Sequence, residues 1–209
     1  MDKYKITFET WNKVAHAYEE KFMDLDIYNN SYDLFCDQIK ITDPKILEVG
    51  CGPGNITRYL LSQRPDFNVD AIDVAPEMIK LAQKNNPKAN FKVMDCREIG
   101  TIDLEFDAII SGFCLPYLSI EDSEAFIKNC SSLLKSGGIF YLSTIEGDYQ
   151  NSGFERGSTG DGSYVYYYEE NYLTKVLKEN NFNVATIKCI QYLNKGVLSK
   201  HLIFIAIKN

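Results

Sequence analysis

The sequence predicts an α/β fold: a doubly wound, mostly parallel sheet of seven strands that ends in an antiparallel hairpin. Three observations support this prediction. Strand and helix patterns alternate from residue 45 to residue 145, which is typical of parallel strands joined by right-handed crossovers. A glycine-rich turn follows the first strand, at residues 50–54. Two further strand patterns, at 184–192 and 201–207, flank the turn sequence Leu193-Asn194-Lys195-Gly196, which favours a hairpin.

Length and composition bound the class of protein. The 209 residues fit one domain, and a hydrophobic fraction of 45% with a charged fraction of 24% is typical of globular chains. The net charge of −7 argues against a nucleic-acid partner, because phosphate binding relies on clustered Lys and Arg. No signal-peptide pattern opens the chain, and the longest purely apolar run, Leu202 to Ile207, is far shorter than a membrane span. We therefore expect no membrane association and a cytoplasmic protein.

Six cysteines occur, and none belongs to a Cys-x-x-Cys pair. Without an export signal they are expected to be reduced and mostly buried, rather than to form a disulfide framework. Cys51, Cys96 and Cys114 are predicted at strand ends, so thiol sensitivity is expected there. No cysteine has an evident histidine partner that would make it a nucleophile, and no metal site is predicted.

Helical periodicity predicts two helices before the first strand. The first spans about residues 8 to 24 and carries one apolar stripe of Trp11, Val14, Ala15, Tyr18 and Phe22. The second begins near Asn30-Ser31, both good caps, and buries Leu34, Phe35 and Ile39. Asp43-Pro44 marks the turn into the first strand, at 45–49.

The same patterns predict four more strands and their crossover helices. The strands are placed at 67–72, 90–94, 105–111 and 139–145. A helix follows the glycine turn, and another begins at Pro76, because proline suits the first helical position. Ser119 caps a further helix, which Gly137-Gly138 is expected to end. A last helix is expected to end near Asn180-Asn181.

The glycine turn indicates a ligand. Gly50, Gly52 and Gly54 stand between a buried strand and a helix, where bare backbone lets a ligand approach and free N–H groups point outward. A dinucleotide fingerprint, Gly-x-Gly-x-x-Gly, would need glycine at position 55, which is Asn55. The spacing therefore argues against a dinucleotide.

Acidic residues follow the next two strands. Asp73 ends the second strand, 23 residues after Gly50. A carboxylate there can accept hydrogen bonds from both ribose hydroxyls of a bound adenosine, and it would repel a 2′-phosphate. Asp95 ends the third strand. The alternative for Asp73 is a surface residue that caps the next helix, and strands frequently end in aspartate without any ligand.

The pattern Glu48-x-Gly50-x-Gly52-x-Gly54 resembles the first motif of the class I S-adenosylmethionine-dependent methyltransferases, which have a Rossmann-like fold. The resemblance spans nearly the whole chain. It implies S-adenosylmethionine as cofactor and S-adenosylhomocysteine as product, with Asp73 at the ribose and Asp95 at the adenine. The residues that the resemblance places at the cofactor are Tyr18, Glu48, Gly50, Cys51, Gly52, Gly54, Asp73, Val74, Met78, Asp95, Cys96, Arg97, Ser111 and Phe113.

The end of the fourth strand separates branches of this family. Methyltransferases that act on adenine or on glutamine amides carry an Asn/Asp-Pro-Pro-aromatic motif there, whereas this chain has Ser111-Gly112-Phe113-Cys114. The segment looks like that of small-molecule methyltransferases related to quinone-biosynthesis enzymes, which implies a small-molecule methyl acceptor. No general base is evident, and Tyr117 and His16 are the weak candidates for a catalytic residue.

The resemblance also divides the single domain of residues 1–209. It implies an N-terminal helical cap at 1–42, a cofactor-binding core at 43–145, a substrate loop or lid at 146–168, and a C-terminal helix and hairpin at 169–209. Residues 146–162 are rich in Gly, Ser, Asp and Asn, and a run of tyrosines follows. These tyrosines are expected either to cover an organic substrate or to form an ordinary amphipathic strand.

Two alternative functions stay open. A nicotinamide-dependent oxidoreductase is disfavoured by Asn55 and by the absence of a Tyr-x-x-x-Lys or His/Asp set for hydride transfer. A sensor or scaffold that binds S-adenosylmethionine without turnover agrees with every residue above.

Overall fold

The structure, a computed structural model, describes residues 2–157, 160–194 and 196–209. Its strands are β1 (Lys45–Val49), β2 (Asn68–Asp73), β3 (Asn90–Val93), β4 (Phe106–Ser111), β5 (Leu134–Ile145), β6 (Gly153–Arg156), β7 (Gly162–Val165), β8 (Phe182–Asn194) and β9 (Val197–Lys208). Seven of them form one sheet in the order β3-β2-β1-β4-β5-β9-β8. Strands β1 to β5 run parallel, whereas β9 is antiparallel to both β5 and β8. The predicted sheet and closing hairpin are confirmed, although Lys195 of the hairpin turn lies outside the described residues.

Helices cover both faces of this sheet. They are α1 (Lys3–Lys13), α2 (Ala15–Phe22), α3 (Asn29–Gln38), α4 (Asn55–Gln63), α5 (Pro76–Asn85), α6 (Ile120–Leu133) and α7 (Glu170–Glu179). Phe35 of α3 and Leu60 of α4 are buried with Tyr141 on one face. Phe126 of α6 and Leu177 of α7 are buried on the other face. Burying each such side chain contributes about 1.5–3 kcal/mol. No helix of the described residues is long and apolar enough to cross a membrane.

The single helix expected over residues 8 to 24 is wrong. Helices α1 and α2 meet at Val14, whose φ of −92° and ψ of 8° interrupt the helical path. The break lets the two helices dock at opposite ends of α5. The side chain of Asn12 accepts a hydrogen bond from the Glu77 N–H at 2.9 Å, and that of Glu19 accepts one from Asn85 at 2.6 Å.

The expected end of α6 at Gly137-Gly138 is also wrong. The helix ends at Leu133, and Leu134 pairs with Phe106 as the first residue of β5. Gly137, with a φ of +77°, lies inside that strand. Residues that local propensity assigns to the end of the helix therefore belong to β5, because this strand pairs with β4.

The 146–168 segment is more ordered than a plain loop. Strands β6 and β7 pair antiparallel within it, while residues 158 and 159 lie outside the described part of the chain. The β6–β7 pair is bound to α1: the Thr10 hydroxyl donates to the Gly162 carbonyl at 2.7 Å, and the Tyr164 N–H donates to the Thr7 hydroxyl at 3.1 Å. Tyr168 is buried in the main core, beyond the end of β7 at Val165. The segment thus holds α1 in place.

Candidate functional site

A cavity opens at the carboxyl edge of the parallel sheet, where the strand order reverses between β1 and β4. Open α/β sheets bind ligands at this position. The cavity has about 770 Å³ of empty volume, part of it open to solvent. Ten of the predicted residues line it: Tyr18, Gly50, Gly52, Asp73, Val74, Met78, Asp95, Cys96, Phe113 and Tyr117.

Bare backbone of the glycine turn forms one side of the cavity. Gly50 and Gly52 both have positive φ, +73° and +53°, which favours glycine. The N–H groups of Gly50 and Cys51 both donate to the Ile72 carbonyl, at 2.9 and 3.0 Å, so the turn is bound to β2. A Cβ at Gly52 would meet no atom closer than 3.7 Å, the distance to a ring carbon of Tyr18. The space that a side chain would take is therefore open.

Asp73 connects the glycine turn with the beginning of α5. Its Oδ2 accepts a hydrogen bond from the Gly52 N–H at 2.9 Å, and its Oδ1 accepts one from the Ala75 N–H at 2.9 Å. Burial raises the pKa of this carboxyl, and the backbone N–H groups of Ala75 and Gly52 oppose the rise. Asp73 is thus held at the cavity by main-chain donors.

Asp95 is bound to Arg97. Its Oδ1 accepts a hydrogen bond from the Arg97 N–H at 2.9 Å, and its Oδ2 accepts one from the guanidinium at 2.6 Å. The same guanidinium lies 3.9 Å from the ring centroid of Tyr4, on α1. The Arg97 side chain therefore connects Asp95 to α1 and is not part of the cavity lining.

Phe113 follows β4 in a left-handed conformation, with a φ of +56°. Its N–H donates to the Ser143 hydroxyl at 3.0 Å, and its ring centroid lies 5.1 Å from that of Tyr28 and 4.8 Å from that of His201. Residues other than glycine held in this region often mark functional sites. The contacts keep the Phe113 ring at the cavity.

Aromatic rings from α1 and α2 cover the cavity. The Trp11 ring lies 5.5 Å from Tyr18 and 5.2 Å from Tyr117, both edge-on. Burial, then the nearby charge of Asp73, raises the pKa of Tyr18 to about 12. Burial also raises the pKa of Tyr117 well above its ordinary range. Both phenols therefore keep their protons at neutral pH.

Glu48 faces away from the cavity. It is fully buried against α4, where it accepts a hydrogen bond from the Thr57 hydroxyl at 2.5 Å, and its Oε1 has no described partner. Burial raises its pKa to about 8, so the group is largely protonated at neutral pH. The hydrogen bond joins β1 to α4.

The remaining predicted residues do not line the cavity either. Gly54 packs on α5, because a Cβ there would lie 2.3 Å from the Asn86 side chain and 3.3 Å from Ala82. Ser111 is fully buried, and Cys51 is buried behind the turn. His16 is exposed on α2. The structure therefore gives His16 no contact with the cavity through which it could act as a base.

Sequence reasoning missed five residues that line the cavity: Thr7, Phe8, Met94, Gly112 and Leu118. Cys114 was expected at a strand end near the site, and Trp11 was considered as part of a helix over the cofactor; both line the cavity. Phe8 and Trp11 are three residues apart on α1, so helical periodicity places them on one face. Periodicity does not say what that face covers, because its partners lie far away in the chain.

Comparison with known proteins finds similarity to methyltransferases. Residues 46–138 match the methyltransferase domain family. A protein named as a methyltransferase, 235L of Invertebrate iridescent virus 6, is 35% identical over 137 residues, which are 65% of this chain and 49% of that protein. Residues 46–138 therefore carry a methyltransferase domain, and the chain as a whole resembles the class I S-adenosylmethionine-dependent methyltransferases. The ubiquinone biosynthesis O-methyltransferase of Xanthomonas campestris pv. campestris (strain B100) is 33% identical over 120 residues, which are 54% of this chain and 48% of that protein.

Solved methyltransferase structures share the fold. The 1,6-didemethyltoxoflavin-N1-methyltransferase of Burkholderia thailandensis, solved with 1,6-didemethyltoxoflavin and S-adenosylhomocysteine, superposes with a TM-score of 0.75 at 20% identity. The match covers 98% of this chain and 88% of that one. The predicted Rossmann-like methyltransferase fold is thereby confirmed. The chain spans about half the length of the curated relatives that it matches.

Proposed function

We propose that this methyltransferase transfers a methyl group from S-adenosylmethionine to a small, uncharged organic acceptor in the cavity at the carboxyl edge of the sheet. The observation that carries the proposal is the 2.9 Å hydrogen bond between the Gly52 N–H and Asp73. It brings the bare glycine turn and a half-buried carboxylate into one hollow, together with Asp95.

The residues around this hollow fit the cofactor. Asp73 can accept hydrogen bonds from ribose hydroxyls. Asp95 and the Cys96 N–H stand where the adenine edge would be recognised, and the side chains of Val74 and Met78 offer apolar surface for its ring. The open backbone at Gly50 and Gly52 leaves room for the methionine part. When bound, the cofactor supplies a methyl group on a sulfonium, which is already a good electrophile.

The task of the chain is then to orient the acceptor and exclude water. Trp11, Tyr18 and Tyr117 cover the hollow, and the β6–β7 pair holds α1 above it. Holding two reactants in line lowers the barrier by up to about 7–11 kcal/mol in the best cases. In this proposal residues 1–42 form the cap and residues 43–145 bind the cofactor. Residues 146–168 act by holding the cap, since none of those described lines the cavity.

The charged residues at the cavity limit which acceptors can bind. Among the described lining residues only Asp73 and Asp95 carry charge, and both stand at the proposed adenosine end. An anionic acceptor would find no cationic side chain among the described lining residues, whereas an uncharged planar molecule would pack against the aromatic rings. Related proteins named for ubiquinone biosynthesis and for a toxoflavin precursor support an acceptor of this kind. A nucleic-acid acceptor is disfavoured by the net charge of −7.

No lining residue is placed to serve as a strong base. Tyr117 keeps its proton because burial raises its pKa, and the described lining contains no histidine. The proposal therefore includes an acceptor that is neutral when it binds and needs no base of the protein to deprotonate it before attack.

Binding and turnover test the proposal together. Titration calorimetry should show binding of S-adenosylmethionine and S-adenosylhomocysteine and no binding of NAD. Transfer of labelled methyl groups should then be measured with panels of uncharged phenols and nitrogen heterocycles, with their carboxylated analogues as matched controls. NAD binding without sulfonium binding would overturn the assignment. Cofactor binding without transfer to any acceptor would favour a sensor.

A further inference from the structure

Arg97 holds the carboxylate of Asp95 from outside the cavity. Its backbone N–H donates to Oδ1 at 2.9 Å. Its guanidinium binds both carboxylate oxygens: Nη2 donates to Oδ2 at 2.6 Å, and Nε lies 3.1 Å from Oδ1 and 3.0 Å from Oδ2. Asp95 lines the cavity and Arg97 does not. Arg97 can therefore affect a ligand only through the residue that it holds.

These hydrogen bonds fix the orientation of the Asp95 carboxylate. The planar guanidinium binds the two oxygens together, which a flexible ammonium group cannot do. A carboxylate has about four acceptor positions, and the three N–H donors of Arg97 occupy three of them. One position stays available for a donor on a ligand. The side chains of Arg97 and Asp95 are only 34% and 15% exposed, so solvent screens this pair less than a pair at the surface.

The ring of Tyr4, on α1, supports the guanidinium in turn. The Arg97 Cζ lies 3.9 Å from the Tyr4 ring centroid, a distance at which a cation and an aromatic ring attract each other. The Tyr4 hydroxyl donates to the Asp122 side chain and accepts a hydrogen bond from the Ser119 N–H at 3.0 Å, so the ring is anchored at the beginning of α6. The position of Asp95 thus depends on a residue of α1 that does not line the cavity.

We propose that Arg97 is a positioning residue that makes the cavity specific for a 6-aminopurine, and that it needs the ring of Tyr4 to do so. The amine of the purine donates to the remaining acceptor position of Asp95. A 6-oxopurine presents a carbonyl oxygen there instead, which the carboxylate cannot accept as a partner. The inference rests on the proposed cofactor site. It adds that α1 contributes, through Arg97, to the choice of purine.

The geometry requires arginine at position 97. Lysine carries the same charge, but its ammonium group cannot bind both oxygens of Asp95 at once or lie flat on the ring of Tyr4. Glutamine removes the charge as well. We therefore expect Arg97→Lys to behave like Arg97→Gln and not like the unaltered protein.

The experiment compares two ligands on the full chain by calorimetry: S-adenosylhomocysteine, and S-inosylhomocysteine, in which a carbonyl replaces the 6-amine. The unaltered protein should prefer S-adenosylhomocysteine at least about tenfold. Arg97→Gln and Arg97→Lys should each reduce this preference at least about threefold. Lys92→Gln, which removes an exposed positive charge from β3, is the control and should keep it. A partly unfolded sample does not change the ratio, because both ligands bind the same folded fraction.

Variants of Tyr4 test the contribution of α1. Tyr4→Leu removes the ring and should reduce the preference as Arg97→Gln does. Tyr4→Phe loses only the hydroxyl and should keep the preference within about twofold, because the ring still faces the guanidinium. In the Arg97→Gln background, Tyr4→Leu should change the ratio no further, since its effect passes through Arg97.

Each outcome decides one part of the inference. An unchanged or larger preference in Arg97→Gln would overturn the role of Arg97. Restoration of the preference by Arg97→Lys, or an equal effect of Tyr4→Leu in both backgrounds, would overturn the part played by the ring. If the unaltered protein binds both ligands equally, this inference fails and the proposed function stands. If it binds neither, the proposed function fails and this inference with it.

Discussion

The phenol of Tyr28 and the Nδ1 of His201 lie 2.6 Å apart, behind the ring of Phe113. This hydrogen bond joins the beginning of α3 to β9 and supports the left-handed residue at the cavity. Burial lowers the pKa of His201 to about 4. The imidazole is therefore neutral at physiological pH.

His201 should make the protein less stable in acid. Between pH 6.5, the ordinary pKa, and about pH 4 the unfolded state binds more protons at this residue, so its contribution to stability falls as pH falls. A shift of this size corresponds to about 3 kcal/mol at most. His201→Phe should therefore give a shallower dependence of the free energy of unfolding on pH, measured by urea denaturation from pH 7 to pH 4. His16→Gln, at an exposed histidine, is the control, and an equal slope in all three proteins would contradict the prediction.

Asp73→Asn should weaken cofactor binding. An amide at this position removes the charge and directs an NH₂ group at the N–H of Gly52 or Ala75, leaving a donor without an acceptor. The loss should be about 1.5–3 kcal/mol, or roughly tenfold to a hundredfold in the dissociation constant of S-adenosylhomocysteine by calorimetry. Asp70→Asn, on the same strand and bound to Asn90, is the control. Equal affinities in the two variants would remove Asp73 from the site.

Gly52→Ala should affect binding more than stability. The φ of +53° costs alanine about 1–2 kcal/mol of folding free energy. The added methyl group also occupies the open side of the turn. Gly137→Ala is a matched control. Its φ of +77° imposes a similar strain, and its added Cβ would have no atom within 4 Å. It lies near the beginning of β5, at the end of the strand opposite to the cavity. Both variants should melt at similar temperatures, and only Gly52→Ala should lose affinity for S-adenosylhomocysteine. Equal affinity would show that the turn does not face the cofactor.

Tyr117 should contribute its ring rather than its hydroxyl. Tyr117→Phe keeps the contact with Trp11 and should retain kcat within about threefold over the pH range, because the raised pKa prevents the phenol from acting as a base. Tyr117→Ala opens the cavity and should lower kcat/KM at least about tenfold. A large loss of kcat in the phenylalanine variant, with a changed pH profile, would restore Tyr117 as a catalytic residue.

The order of strands and helices, the glycine turn and the acids at strand ends are visible in the sequence. The proximity of Asp73, Asp95 and the Gly50–Gly52 turn could be predicted without knowledge of long-range contacts. The reason is that the carboxyl ends of parallel strands always share one edge of the sheet. Residues that are separated in the sequence by a crossover helix therefore line one cavity. Local patterning and topology were enough to predict the fold and this half of the site.

Only the tertiary structure decided what covers the cavity and which strand-end residues face it. The break at Val14 and the binding of α1 to Gly162 and Tyr164 bring together segments that carry no shared local pattern. Glu48 shows the same limit within one strand, since alternation directs it to the face packed on α4, away from the ligand. Periodicity encodes which face of an element is buried. The partner of that face is chosen by packing across the whole chain.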